Sequence, residues 1–284
     1  MHSMLALDGR IVCFHAYKVQ VYDHDNKPLK VLQHFALDRR KFATYRMFAN
    51  SDFLHIRADF GLWRYRIPDL EFDSHAKDVD YLAPLIHTFG NMDIVCASDT
   101  MLFVLLLERM DTYWLAAIDL NGSSIAANDA GIHIFASTSD FPAIDEGNPF
   151  EKDMVIHERQ LFACYGNAVV IFEVLYPDIR VKQYIEVPVG VPQSICVLNE
   201  RLYILEESSD APISSYQTGV VDFSRIVVIS MDDFTDDFND FTILQTFDVP
   251  VGCRMAARNN RLLVYEPNAR YDIANCMINE LAGV

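Results

Sequence analysis

Short apolar runs separated by tight polar turns recur along the whole chain and predict β-strands. Near the N-terminus, residues 4–7 and 11–16 flank Asp8-Gly9, and an Asp-Gly pair between two apolar runs is a strong hairpin signal. Residues 19–23 then alternate between apolar and polar side chains, and residues 29–35 follow a polar turn. The pattern therefore predicts an antiparallel meander of four short strands at the start of the chain.

One block of the sequence occurs twice. Val187-Pro188-Val189-Gly190 returns as Val249-Pro250-Val251-Gly252, and in each case a turn and an apolar strand with a leading arginine follow, at Arg201 and Arg261. The copies lie roughly 60 residues apart, which indicates a repeat protein built from supersecondary units. The first turns of the successive units align at Asp8, Ser51, Asp99, Glu158, Glu200 and Asn259.

This spacing predicts an all-β fold, a β-propeller of about six four-stranded antiparallel blades. The whole chain is interpreted as a single domain, residues 1–284, and the last blade is short of strands, with residues 271–278 as one further candidate. We expect the blades at about 1–35, 44–76, 92–138, 153–188, 192–250 and 253–284.

The residues at the third-strand positions carry a family resemblance. Val19-Gln20-Val21-Tyr22-Asp23 and Leu62-Trp63-Arg64-Tyr65 lie where the third strand of a WD-type (WD40-like) propeller repeat lies, and the layout resembles such repeats over most of the chain. The Gly-His and Trp-Asp dipeptides of that family are absent, as are the double glycines of kelch repeats. The resemblance implies a propeller fold without naming a specific family.

Composition narrows the classes of partner. Hydrophobic residues make up 51% of the chain, which is enough for a substantial core, and the net charge is −17. Such a charge repels phosphate backbones and anionic lipids, so we expect no nucleic acid and no membrane as partners. A protein with a basic or neutral contact surface fits better. We expect a cytoplasmic location, because no signal segment is recognised and the six cysteines are scattered like reduced core thiols.

The sequence contains few motifs that are typical of metal binding or catalysis. The nine histidines form no ligand pair and the acidic run 232–240 lacks the glycine and glutamate of a calcium loop, so we predict no metal and no cofactor. No Gly-x-Ser-x-Gly motif or phosphate-binding loop is present. Carboxylates that would serve glycoside cleavage are found at Asp59, Glu108, Asp111 and Glu206. The alternative function is therefore a propeller-type hydrolase or lyase with an acidic site at the channel mouth.

Long polar segments predict where a partner would bind. Segments 76–92, 121–152 and 207–224 are expected as long loops, and in a propeller the blade connections and the second-to-third strand loops share one face. A basic cluster between the first two blades stands out against the acidic background. The sequence thus predicts a non-catalytic interaction scaffold or recruiting subunit without catalytic residues. The predicted partner-binding residues are Arg39, Arg40, Lys41, Tyr216, Asp59 and Tyr17.

Overall fold

The computed structural model describes the part of the chain that carries the strands and most of the turns. The described residues are 3–7, 9–15, 18–34, 46–58, 61–77, 91–107, 113–119, 132–141, 153–175, 178–187, 190–209, 221–231, 241–258, 261–266 and 277–280. The chain divides into two compact units, Met1–Pro142 and Ala143–Val284.

The first unit contains three four-stranded antiparallel sheets, which we call blades 1 to 3. In each, the strands pair in chain order with their neighbours, as expected for meanders joined by short turns. The strands are β1 (Ser3–Leu7), β2 (Arg10–His15), β3 (Lys18–Tyr22), β4 (Pro28–His34), β5 (Arg46–Ala49), β6 (Phe53–Ala58), β7 (Gly61–Arg66), β8 (Glu71–Lys77), β9 (Asn91–Ala97), β10 (Met101–Leu107), β11 (Tyr113–Asp119) and β12 (Ile132–Ser137).

The second unit continues the plan with blades 4 to 6. Blades 4 and 5 have four strands, and blade 6 has three within the described residues. The strands are β13 (Met154–His157), β14 (Gln160–Tyr165), β15 (Ala168–Leu175), β16 (Asp178–Glu186), β17 (Val191–Leu198), β18 (Arg201–Ser209), β19 (Val221–Ser230), β20 (Ile243–Val249), β21 (Arg254–Arg258), β22 (Arg261–Glu266) and β23 (Met277–Glu280).

The turns that follow β1, β13 and β17 each close a β-hairpin. Leu7 pairs with Arg10 across Gly9, which has a φ of 72°. His157 pairs with Gln160 and Leu198 with Arg201, so these hairpins have two-residue turns. Two-residue hairpin turns need left-handed backbone, which glycine adopts without steric penalty and other residues at some cost.

Blade 5 shows how the blades pack within the second unit. Alternate residues of a strand point to opposite faces of its sheet. Leu202 and Ile204 of β18 therefore pack with blade 4, whereas Tyr203 and Leu205 pack with blade 6. Strands that are covered on both faces need apolar residues at every position, as the continuous apolar runs of the second and third strands show.

Blades 1 and 2 pack in the same way in the first unit. Val12, Phe14 and Val21 of blade 1 meet Leu54 and Ile56 of blade 2, all fully buried. The first strands β1, β5 and β9 contact each other in order, and so do β13, β17 and β21 in the second unit. Face-to-face meanders with successive first strands in contact define the β-propeller class, which confirms the predicted fold, with five complete blades.

Two regions differ from the prediction. Segment 121–152 was expected to be a long loop, but it contains β12 and a one-turn 3₁₀ helix, Thr138–Asp140, that Ser137 caps. The alternation Ile132-His133-Ile134 is short and was outweighed by the polar residues around it. In blade 5, β18 and β19 extend into segment 207–224, because the polar ends of both strands still pair, from Glu207 with Ser224 to Ser209 with Val221.

Candidate functional site

The loop-bearing end of blade 5 holds two consecutive carboxylates, which we call the glutamate pair. Glu206 and Glu207 continue the alternation of β18, so their side chains leave opposite faces of the blade. Glu206 follows Ile204 toward blade 4, and Glu207 follows Leu205 toward blade 6. Each glutamate can therefore reach a different blade-to-blade connection.

Glu206 is fully buried and is the acceptor at the connection between blades 4 and 5. Its Oε1 accepts a hydrogen bond from Nε of Arg225, and its Oε2 accepts one from the backbone N–H of Gly190 at 3.2 Å. A carboxylate without solvent needs both a counter-charge and hydrogen-bond donors, and these two residues supply them. The Arg225 guanidinium also lies over the ring of Phe223, 5.6 Å from its centroid.

Glu207 makes the equivalent contact at the connection between blades 5 and 6. Its Oε1 accepts from the backbone N–H of Gly252 at 3.0 Å and from Oγ of Ser224 at 3.3 Å. Gly190 and Gly252 are the last residues of the two Val-Pro-Val-Gly copies. The sequence repeat thus places two glycines where consecutive glutamates bind them.

The two glycines are required for different reasons. A Cβ on Gly190 would lie 2.9 Å from the carbonyl oxygen of Glu207 and 3.1 Å from Cβ of Glu206, which is too close. Gly252 has a φ of 77°, a left-handed conformation that costs other residues free energy.

The opposite end of blades 4 and 5 carries a polar pocket of about 540 Å³. Hairpin turns of both blades and the third strands behind them form its wall. We call it the turn-end pocket; it is lined by His157, Glu158, Arg159, Gln160, Glu173, Glu200 and Met231. Three carboxylates face one guanidinium among these side chains, so the lining is acidic on balance.

Backbone hydrogen bonds hold the pocket turns to the strands behind them. The N–H of Val174 donates to the carbonyl of Arg159 at 2.7 Å, and the N–H of Met231 donates to the carbonyl of Glu200 at 3.1 Å. Glu158 and Glu200 have φ values of 52° and 54°. Both glutamates therefore occupy left-handed positions at corresponding turns of adjacent blades, a conformation that favours glycine or asparagine.

The polar groups of the turn-end pocket suit a cationic guest. Both Nε and Nη2 of Arg180 donate to Oε2 of Glu173, at 2.9 and 2.7 Å, so that carboxylate already has a partner. Glu158 and Glu200 are exposed turn residues. The Nε2 atom of His157 is buried and has no hydrogen-bond partner among the described residues. An added ammonium or guanidinium group would find carboxylate acceptors here.

The predicted partner-binding residues cannot be placed against these features. Arg39, Arg40, Lys41, Tyr216, Asp59 and Tyr17 all lie outside the described residues. The acidic run 232–240, which follows β19 and precedes β20 in sequence, also lies outside them. Of the four candidate catalytic carboxylates, Glu206 is described, and it is held in the glutamate pair.

His55 of β6 is the most perturbed histidine of the described chain. It is buried, its ring stacks on Phe48 with centroids 5.0 Å apart, and Phe53 meets its edge. Burial lowers the pKa of His55 to about 4, and the nearby charge of Arg64 adds to the effect. Neither ring nitrogen has a hydrogen-bond partner among the described residues, and the ring is buried beside Phe48 and Phe53.

The cysteines agree with the predicted reduced core. Cys13, Cys96, Cys164, Cys196 and Cys253 are buried and are not joined in disulfide bonds. Burial, and secondarily the charge of Asp153, raises the pKa of Cys196, so the thiolate is strongly disfavoured there. Within the described residues, no group of three or more His, Cys, Asp or Glu side chains is arranged to hold a metal ion. Those residues also include no helix long and apolar enough to cross a membrane.

Sequence reasoning missed both the glutamate pair and the turn-end pocket, although each left a signal. The duplicated glycines marked the blade connections, and Glu206-Glu207 stands at the end of an otherwise apolar strand. The aligned first turns of blades 4 and 5 both carry glutamate, at positions 158 and 200. Equivalent positions in adjacent blades lie close together, so two acidic turns in succession indicate an acidic surface.

The chain is a β-propeller repeat protein. No protein-family model matches the chain, and no curated protein sequence does. Among solved structures, the β-propeller domain of Cps50 (Swd1) from Myceliophthora thermophila is 9% identical, with a TM-score of 0.49, covering 97% of this chain and 82% of that chain.

Two Hsv2 structures are similar at the same low level. Hsv2 from Kluyveromyces marxianus is 10% identical with a TM-score of 0.43, covering 98% of this chain and 82% of that chain. Hsv2 from Kluyveromyces lactis is 6% identical with a TM-score of 0.41, covering 98% and 85%. At such identities and scores, nothing about binding or activity transfers to this chain.

Proposed function

We propose that this propeller is a non-catalytic, intracellular interaction scaffold that recruits another protein by binding basic side chains of that partner in the turn-end pocket. The observation that carries the proposal is the juxtaposition of Glu158 and Glu200 at the rim of one concave site. Because the chain has a net charge of −17, its overall field also attracts a basic partner surface.

The rigidity of the pocket supports binding rather than a passive surface role. Each turn is a two-residue hairpin fixed by register on one side and by a hydrogen bond to a neighbouring strand on the other. The backbone positions that carry these carboxylates are therefore fixed before a partner arrives. Pre-organised charges lose less entropy on binding than charges on long flexible loops.

A second contact region is proposed on the loop-bearing face. Residues Arg39, Arg40 and Lys41 form a basic cluster in sequence, and Tyr17, Asp59 and Tyr216 belong to segments that join second and third strands. The glutamate pair supports this proposal indirectly, since it fixes both connections beside the base of the segment that contains Tyr216. A partner would then bind loops whose attachment points are fixed by these hydrogen bonds.

Affinity capture with matched variants tests the pocket. The Glu158→Gln/Glu200→Gln variant removes two pocket charges, whereas Asp178→Asn/Glu186→Gln removes two exposed charges from the ends of β16. Proteins captured by wild type are then purified and titrated against all three forms. We expect at least one partner to bind the pocket variant roughly fivefold to tenfold more weakly, the scale of losing about 1 kcal/mol of charge pairing.

The control variant should bind that partner as wild type does, and added salt should weaken the interaction. If every captured protein binds the pocket variant and the control equally well, the turn-end pocket is not the recruiting site. The variant Arg39→Glu/Arg40→Glu/Lys41→Glu tests the loop face in the same assay, and unchanged affinity would remove that cluster.

A further inference from the structure

The fourth strand of blade 5 is an unusually open sheet edge. β20 pairs with β19 and is the last strand of its sheet. Five consecutive residues, 242–246, are exposed, including the apolar Ile243 and Leu244 with 40% and 47% exposure. On β20, the residues that pack against the core between blades 5 and 6 are Phe247 and Val249. Among the described strands, none pairs with the outer edge of β20, so β20 offers both a backbone edge and apolar side chains.

Three of the other four described fourth strands carry residues that block edge pairing. β4 begins with Pro28 and contains Lys30, and β8 and β16 each carry several charges of both signs. Proline and lysine at an edge are the usual protection against pairing with another chain. β12 lacks them, but its Ala136 and Ser137 are buried, and among its described side chains Ile134 is the one exposed apolar residue.

β20 contains neither proline nor a basic residue over its seven positions. An edge strand turns the N–H and C=O groups of alternate residues outward, where a further strand can bind them. An exposed strand of this length without such protection is a template for strand addition. A bulge opposite Val228 and Ile229 adds one residue to β20 near its start and leaves the pairing from Gln245 to Val249 regular.

The charge around β20 specifies what can add to it. Asp248 is exposed on the strand itself, and in sequence the nine residues 232–240 before it contain five aspartates. We propose that β20 binds an extended, basic segment of a partner protein as a fifth strand of blade 5. Main-chain hydrogen bonds hold the segment, apolar side chains cover Ile243 and Leu244, and lysines or arginines face the acidic background.

A second copy of the chain is a poor occupant of the same edge. Edge-to-edge pairing of two β20 strands would bring together two molecules that each carry a net charge of −17. It would also place the Asp248 side chains and the acidic sequences before both strands close to one another, and like charges across a strand pair are destabilising. The same negative charges attract a basic segment and repel a second copy of the chain.

The binding test uses a defined probe, the fluorescein-labelled peptide acetyl-Lys-Val-Lys-Val-Lys-Val-Lys-amide, measured by fluorescence anisotropy at physiological salt. A matched peptide in which every backbone amide is N-methylated keeps the charges and side chains but cannot donate a hydrogen bond from either edge. Leu244→Lys/Thr246→Lys introduces two lysines on β20, and Leu29→Lys/Val31→Lys introduces two at exposed positions of β4. Both variants change the net charge equally.

We expect the lysines on β20 to weaken binding of the peptide by about tenfold or more and those on β4 to change it by less than about twofold. Methylation of the peptide should abolish binding, and the amides of residues 243–249 should gain protection from hydrogen exchange when the parent peptide binds. Far-UV circular dichroism checks that both variants remain folded, which is expected because all four positions are exposed.

Three outcomes of the peptide titrations would overturn the proposal. They are no binding of the parent peptide, binding of the methylated peptide as tight as that of the parent, and equal weakening by both lysine variants, which would indicate general charge attraction. Dimers in sedimentation with β20 protected in the absence of peptide would assign the edge to a second copy instead. The titrations are repeated in the Glu158→Gln/Glu200→Gln background, where the turn-end pocket no longer competes for lysines, and the difference between the β20 and β4 variants should persist there.

Discussion

Replacing Gly190 by alanine should destabilise the protein at the connection between blades 4 and 5. The added methyl group would lie 2.9 Å from the carbonyl oxygen of Glu207 and 3.1 Å from its carbonyl carbon. These atoms belong to the backbone of β18, so they cannot rotate away as a flexible side chain would. The connection must therefore move outward by several tenths of an ångström.

The free energy of this change has three parts. Forcing a methyl group into a packed site typically costs about 1–3 kcal/mol, and we take about 2 kcal/mol for this site. Moving the Gly190 N–H away from Oε2 of Glu206, now at 3.2 Å, weakens a hydrogen bond to a charged acceptor and adds about 1 kcal/mol. The loss of glycine flexibility in the unfolded chain returns roughly 0.5 kcal/mol. We expect a net destabilisation of about 2–3 kcal/mol.

Urea denaturation followed by circular dichroism and fluorescence measures the change, and the equivalent glycine provides the control. Gly252→Ala should also destabilise, but through its φ of 77°, at about 1–2 kcal/mol. Asparagine tolerates left-handed backbone, so Gly252→Asn should recover much of that loss. Gly190→Asn should be at least as destabilising as Gly190→Ala. A Gly190→Ala protein as stable as wild type would refute the steric argument.

Two further predictions concern buried charges. Glu206→Gln should destabilise by about 3 kcal/mol in urea denaturation because it leaves the Arg225 guanidinium without its counter-charge, whereas Glu207→Gln, which bonds neutral donors, should cost about 1 kcal/mol; equal losses would contradict this account. The pKa of His55 is about 4 in the folded protein, against an ordinary value of 6.5 that we take for the unfolded chain. Between these pH values the unfolded chain binds more protons than the folded protein. The free energy of unfolding should therefore fall by about 3 kcal/mol as the pH drops from 6.5 to 4. His55→Phe should flatten this part of the stability–pH curve and His24→Gln, at an exposed site, should not; equal slopes would show that other groups control it.

The fold could be predicted from sequence because its signals are local. Period-two alternation, Asp-Gly and related turns and the duplicated Val-Pro-Val-Gly are each read within a few residues. They were sufficient to place all strands of blades 1, 2, 4 and 5 and three strands of blade 3, and strand β23 of the sixth was expected a few residues too early. β12 was missed because its six residues follow a long polar stretch, so the local signal was weak.

The sites could not be predicted in the same way, because they depend on contacts between distant residues. Glu206 meets Gly190 sixteen positions earlier, and Glu207 meets Gly252 forty-five positions later. The turn-end pocket needs the turns of two blades side by side. Sequence reasoning therefore chose charged and aromatic residues in loops, and those predictions remain untested by the described residues.

Blade 5 explains why the turn-end pocket and the open edge of β20 both lie in the second unit. Both of its faces are covered, since even positions of β18 meet blade 4 and odd positions meet blade 6. A blade packed on both faces has three surfaces left for chemistry, namely its two ends and its outer edge. The same alternation that buries Ile204 and Leu205 sends Glu206 and Glu207 to the flanking glycines, which stiffens one end. At the other end Glu200 faces the turn-end pocket, and along the outer edge β20 stays open. Because the three surfaces use different residues, variants of one can be interpreted without assuming damage to the others.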